Sequence, residues 1–272
     1  MDDLRTAMAV AYYIRILTGN GHDQINLPGF SSGVWTCSAS LNTETQLAPR
    51  HRLAKGLIAA DGTYQTDSEA LKNSCYVNEY NCTKALLDKG EYGDFVPFAS
   101  IAELAQTDPN GDSPLIPGFN NMQAAMFFAV GLILGEVTFH YFAGHQENDL
   151  PVNLQYVPQD EYFDFMAAGV PWEAAKFINE YCGLTRELLD LPFDDHPGEI
   201  TIPILNLSPA GVFGELSKYT TTLLGSADIT HVIPSLHPPE EAVMDLGHVD
   251  LLMANKAPAL VWWPILDWIQ GH

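Results

Sequence analysis

Positive charge is scarce in this chain of 272 residues: Lys and Arg number 12 against 34 Asp and Glu, a formal net charge of −22. Such a surface repels phosphate backbones and anionic headgroups, which argues against a nucleic-acid partner and disfavours highly anionic substrates. Cysteine is sparse too, with only Cys37, Cys75, Cys82 and Cys182. None forms a Cys-x-x-Cys pair, so a zinc or dithiol redox motif has no support. Cys75 and Cys82 stand close enough in sequence to bridge, subject to geometry. Cys37 falls in an apolar stretch and is expected to be buried. Long apolar runs are missing. The most apolar one, residues 124–135, is too short to span a bilayer and is followed by Glu136 and His140. Met1-Asp2-Asp3 is acidic where a secretory signal would be basic. No internal repeat and no glycine-rich phosphate loop appears. His140 and His145 lie five apart with no third ligand in register, so no metal is expected. No cofactor is implied.

What is present is a core. Hydrophobic residues make up 47% and aromatics 11%, enough for one large domain or a core with an insertion. Leu4, Ala7, Met8, Ala11 and Ile14 recur at helical spacing, and Gly19 can stop that helix. Strands are expected at Gln24–Leu27, Gly56–Ala60, Ile202–Leu207 and Ile229–Leu236. Helices are expected at Gly33–Leu41, Leu216–Leu224 and a terminal stretch carrying Leu260, Val261, Ile265, Trp268 and Ile269. Pro264 should bend the last one. Strands alternating with helices imply a parallel sheet covered on both faces. Residues 64–195 differ in character. They are rich in Tyr, Phe, Met, Pro and Asn, with helices at Phe119–Tyr141 and Pro171–Tyr181 and a turn at Asp108-Pro109-Asn110-Gly111. They read as an insertion between two strands of a core built from residues 1–63 and 196–272.

One stretch carries chemistry. Gly29-Phe30-Ser31-Ser32-Gly33 is Gly-x-Ser-x-Gly set between an expected strand and an expected helix. A serine on a tight, strained turn there presents its hydroxyl clear of the backbone. Further on, Asp245-Leu246-Gly247-His248-Val249-Asp250 precedes the terminal helix, and the loop Ser208–Glu215 follows the strand Ile202–Leu207.

With these motifs the chain resembles the α/β-hydrolase superfamily, whose order is nucleophile, acid, histidine. The resemblance implies a parallel sheet flanked by helices, with 64–195 as a mainly helical cap. It implies Ser31 as nucleophile and His248 as general base. The acid is Glu215, the only carboxylate in the loop after Ile202–Leu207, or Asp61, which ends the strand before the insertion; Asp228 and Asp245 are poorer candidates. The backbone N–H of Ser32 is the expected oxyanion donor. The expected reaction is cleavage of a neutral, hydrophobic carboxylic ester through an acyl-enzyme. Met122, Met126, Phe127, Phe128 and Tyr141 are the cap residues that would present apolar surface to it. The alternative is a non-catalytic binding protein of the same fold, or an inactive fragment. Other chemistry on the fold, C–C hydrolysis or halide oxidation, would share Ser31 and His248. Only about 22 residues precede the elbow strand, where the family pattern has further strands and the loop with the second oxyanion donor. The chain is therefore expected to be N-terminally incomplete, with Gln24–Leu27 as a free edge open to strand-paired oligomers.

Overall fold

The computed structural model describes residues 2–21, 23–93, 98–130, 140–147, 150–168 and 174–272. The chain opens on helix α1 (Asp2–Leu17), which Gly19 ends with a φ of 74°. Strand β1 (Ile25–Phe30) follows, then α2 (Ser32–Thr45) and β2 (Ala54–Ala60). After β2 come α3 (Glu69–Ser74), a π-turn (Cys75–Tyr80), α4 (Asn81–Leu87), α5 (Phe98–Thr107) and α6 (Asn121–Val130). An antiparallel pair, β3 (Gly144–Glu147) and β4 (Leu150–Leu154), leads to α7 (Gln159–Ala168) and α8 (Ala175–Thr185). The chain then returns to the sheet with β5 (Ile204–Leu207), α9 (Lys218–Thr222) and β6 (Ile229–Val232), and closes with α10 (Asp250–Met253) and α11 (Trp263–Gly271).

β1, β2, β5 and β6 form one parallel sheet in that spatial order. All four expected strands are present; β1, β2 and β5 start one or two residues from the expected position, β6 starts at Ile229 as expected, and β1 runs on to Phe30. β6 stops at Val232 rather than running to Leu236. The sheet is covered on both faces. Leu57 and Ile204, both fully buried, pack with Leu27 against Met8 of α1 and Val34, Cys37 and Leu41 of α2. Each such aliphatic chain contributes roughly 1.5–3 kcal/mol by leaving water. On the other face Ile58 and Leu205 meet Trp268 of α11. A π-turn, Pro258–Trp262, precedes α11, so Pro264 falls in the first turn, where a missing N–H costs nothing. α6 covers part of the helix expected at Phe119–Tyr141; 131–139 lie outside the described residues, as do 171–173 of the helix expected at Pro171–Tyr181.

Cys75 is bonded to Cys182, across 107 residues, and not to its sequence neighbour Cys82, which is exposed. The bond ties the π-turn after α3 to α8. Cys37 is buried, and burial pushes its thiol up to about 12.

Candidate active site

Parallel register builds the site before any side chain is considered. Phe30 pairs with Ala60, and Ala60 with Leu207. The next residue on each strand is therefore aligned in a row: Ser31, Asp61, Ser208. The ladder continues through them. The N–H of Ser31 donates to Ala60 O (2.9 Å), that of Asp61 to Leu207 O (2.7 Å) and that of Ser208 to Val232 O (3.1 Å). Neighbouring strands lie about 4.8 Å apart, so nucleophile and carboxylate candidates are adjacent at the carboxyl ends of β1 and β2.

Ser31 has φ 56° and ψ −129°, a conformation that side-chain-bearing residues rarely adopt. Its carbonyl still accepts from Val34 N at 2.9 Å, closing the turn into α2. Gly29 is needed for this geometry. A Cβ there would lie 2.5 Å from Gly33 O and 2.8 Å from Val34 N. Gly62 is needed as well, because a Cβ would collide with the Ser31 carbonyl. Gly33 meets nothing within 4 Å. Ser32 opens α2, so its N–H has no acceptor within the helix and is available to an anion.

His248 is 3% exposed, and its Nδ1 lies 2.5 Å from Oδ2 of Asp61, which is fully buried. The hydroxyl of Ser208 donates to the other oxygen, Oδ1. With a carboxylate as acceptor, Nδ1 carries the proton and Nε2 is left as the basic nitrogen. The imidazole stacks on Phe30 at 4.6 Å between ring centroids, with Tyr141 and Phe213 edge-on at 6.1 and 6.2 Å.

Glu215 is elsewhere. It sits in a short 3-10 turn, Gly214–Ser217, with its side chain 75% exposed and paired to Lys218 at 2.8 Å. The carboxylate beside His248 is that of Asp61, and the end of β5 carries Ser208 in support. Asp245 is buried away from His248 and accepts the N–H groups of Leu236 (2.9 Å) and Leu246 (2.7 Å), while Asp228 lies 3.4 Å from His272.

The histidine loop is held by the segment His140–Ala143. His248 N donates to His140 O (2.9 Å), Val249 N to Tyr141 O (2.8 Å), and Ala143 N to the carboxylate of Asp250 (2.8 Å). Gly247 N donates to the same Asp250 oxygen at 2.8 Å. Burial pushes Asp250 up to about 7. Burial also lowers the basicity of His140, whose Nε2–H donates to Asp245 O at 3.2 Å. Nothing in the sequence marked His140 or Asp250 for this role, since the bonds that join the two segments span more than 100 residues.

A cavity of about 140 Å³ opens beside Ser31. Its walls include Thr63, Leu71, Glu79, Ile178 and Tyr181, together with Tyr141 and Phe213 from around the histidine. Of the apolar residues expected to face a substrate, only Tyr141 does so. Met126 is buried in a separate cluster with Phe98, Phe142 and Tyr162, Met122 and Phe128 pack against it, and Phe127 is 42% exposed. Cys75, Glu79 and Cys182 gather their ligand atoms within 4.8 Å. The two sulfurs are joined to each other, so the cluster offers no thiolate.

A protein of Sulfolobus solfataricus assigned as a lipase superposes on 99% of this chain with a TM-score of 0.60 and 18% identity. The chain has the α/β-hydrolase fold. It spans 64% of the length of that protein. Within the α/β-hydrolase fold, a soluble variant of monoglyceride lipase from Saccharomyces cerevisiae aligns over 100% of this chain and 68% of its own, at 12% identity and a TM-score of 0.47. A thermophilic esterase from Thermogutta terrifontis aligns over 95% and 68%, at 13% identity and 0.42. No protein-family model and no curated protein sequence matches the chain.

Proposed function

We propose that the chain is a serine hydrolase that cleaves neutral carboxylic esters through an acyl-enzyme on Ser31. The observation that carries this reading is the buried Asp61–His248 contact at the head of a strand whose neighbour ends in a strained serine. Nε2 of His248 would take the Ser31 proton as the hydroxyl attacks the ester carbonyl, then return it to the leaving alcohol. Asp61, fixed by Ser208, would hold the imidazole tautomer and stabilise the imidazolium. The N–H of Ser32 would face the developing oxyanion. Water would then discharge the acyl group by the same steps.

In this reading residues 64–195 are a cap over the serine, since Leu71, Ile178 and Tyr181 from that segment share a cavity with Ser31. The substrate is neutral, because Glu79 lines the cavity and the net charge is −22. Its acyl part is apolar and short, in keeping with the size of the cavity. The free edge of β1 is part of the same proposal: association with another chain would run along it. Odd-numbered residues of β1 turn their N–H groups to β2, as Ile25 N does to Leu53 O, so Pro28 faces the open edge without a donor. Bonding there is confined to either side of Pro28.

A fluorophosphonate probe tests the central claim. It should label the intact chain at Ser31 and leave Ser31→Ala unlabelled. Absence of labelling in a folded sample would favour a non-catalytic binding protein.

A further inference from the structure

A second and larger cavity, of about 850 Å³, lies at the opposite end of the sheet from Ser31. Asp23, Gln24 and the segment from Pro49 to Leu53 mark the amino ends of β1 and β2, and β1 is six residues long, so the two cavities are about 20 Å apart. Arg5, Tyr12 and Tyr13 of α1 form one wall, and Arg50, Arg52 and Lys55 the other. Four of the twelve cationic side chains in a chain of 34 carboxylates thus face one hollow, with Asp23 as the single acidic residue of the lining.

Among the described residues, ion pairing divides the cations into two groups. Elsewhere Lys72, Lys84, Lys176, Arg186 and Lys218 each lie within 4 Å of a side-chain carboxylate. Among the described residues Arg5, Arg50, Arg52 and Lys55 pair with no Asp or Glu, and neither do Arg15, Lys89 and Lys256, which lie outside this cavity. Arg5 donates to His51 O at 3.4 Å, and its Nε is buried without a partner. Arg50 donates to His51 Nε2 at 3.2 Å. Lys55 donates at 2.8 Å to the α-carboxylate of His272, the last residue of the sequence. The guanidinium of Arg52 is pinned by Leu47 O (3.1 Å) and Thr45 O (2.6 Å). Carbonyls and imidazole orient the three guanidinium groups and leave their charges uncompensated, while Lys55 alone meets a carboxylate, that of the last residue. The carboxylate of Asp228, close by, lies against the His272 ring.

Converging cations of which three lack a carboxylate repel one another, and a concave wall focuses their field on whatever enters. Guanidinium forks match the geometry of phosphate and carboxylate oxygens, and charge-assisted bonds to them are the stronger kind. The net charge of −22 repels long polyanions before they arrive, which leaves molecules small enough to be enclosed. We propose that this cavity binds a small molecule bearing two or more phosphate or carboxylate groups. The inference does not depend on the hydrolase reading.

Calorimetric titration of the intact chain at low ionic strength tests it, with inorganic pyrophosphate as one probe and citrate as the other. At least one should bind saturably, near one per chain, and raise the melting temperature. Preference for pyrophosphate assigns phosphate to the natural ligand, and preference for citrate assigns carboxylates. Arg50→Gln combined with Lys55→Gln should weaken binding about tenfold or more, each lost charge-assisted bond being worth that much. Arg52 is left alone because it holds the Thr45–Leu47 turn. Without the probe, the double variant should melt at or above the parent, since repulsion is relieved; if it does not fold, Arg50→Gln alone should still lose the probe-induced rise in melting temperature. Lys84→Gln, remote and salt-bridged, should bind as the parent does. The proposal is overturned if neither probe binds saturably, if folded cavity variants bind as the parent does, or if Lys84→Gln weakens binding equally.

Discussion

Ser31 occupies its backbone conformation whatever its side chain does, because the ladder bond to Ala60 and the turn bond from Val34 involve main-chain atoms only. Ser31→Ala should therefore keep the fold while lowering ester hydrolysis by about 10³-fold or more. Asp61→Asn should lower it by roughly 10²- to 10⁴-fold, by mispresenting the imidazole, and Glu215→Gln should leave the rate within about twofold. Steady-state kinetics on p-nitrophenyl butyrate decide between the two carboxylates; a large loss in Glu215→Gln with none in Asp61→Asn would return the role to Glu215. Asp250 gives a pH prediction. Its carboxyl is raised from 3.8 to about 7, so the native state holds a proton that the unfolded chain has released. Its stabilisation is complete below about pH 4 and is lost as pH rises through about 7. Melting temperatures at pH 5 and pH 8 should fall more for the parent than for Asp250→Asn; parallel curves would mean that Asp250 is ionised throughout. As candidates for the proposed site, Ser31 and His248 were legible in the sequence because each sits in a local pattern that announces its turn. The carboxylate was not, because the choice between Asp61 and Glu215 depends on which strands pair and in what register. Ser208 becomes visible only once Ala60 is set against Leu207.

At the scale of the elements, the three glycines around the serine are unequal. Gly29→Ala and Gly62→Ala force backbone apart and should each destabilise by about 1–3 kcal/mol or more in chemical denaturation, with activity falling as Ser31 moves. Gly33→Ala adds a methyl group in open space within α2 and should be neutral, or stabilising by up to about 1 kcal/mol. Equal costs at all three positions would show that the elbow is not built on these close approaches. The sheet was legible because buried parallel strands read as short apolar runs bounded by turns. The residues that line the cavity beside Ser31 were not. α6 is apolar on every side, so its sequence does not say which face meets a ligand, and it uses Met126 and Ala125 for its own core. The lining of that cavity includes the π-turn region and α8, where Ile178 and Tyr181 carry no distinguishing pattern.

For the whole molecule, the open edge of β1 and the exposed α1 residues Val10, Tyr13, Ile14 and Leu17 bear on assembly. These four recur at i, i+3, i+4 and i+7, one helix face. If the chain associates through this side, Ile14→Glu should shift its sedimentation toward the monomer; an unchanged profile would place the contact elsewhere. The Cys75–Cys182 bond closes a loop of about one hundred residues, worth on the order of 4–5 kcal/mol in the chain-entropy account. Dithiothreitol, or replacement of both cysteines by serine, should lower the melting temperature clearly. The same bond encloses the exposed turn at Asp108–Gly111, whose backbone lies between the two halves of the site. Ser31 and Asp61 precede that turn; Ser208 and His248 follow it. A protease that cuts there would yield two peptides, neither holding all four residues of the proposed site, joined by one sulfur–sulfur link. The clipped protein would then be a split form of the proposed hydrolase, whose complementation can be switched off with a reductant.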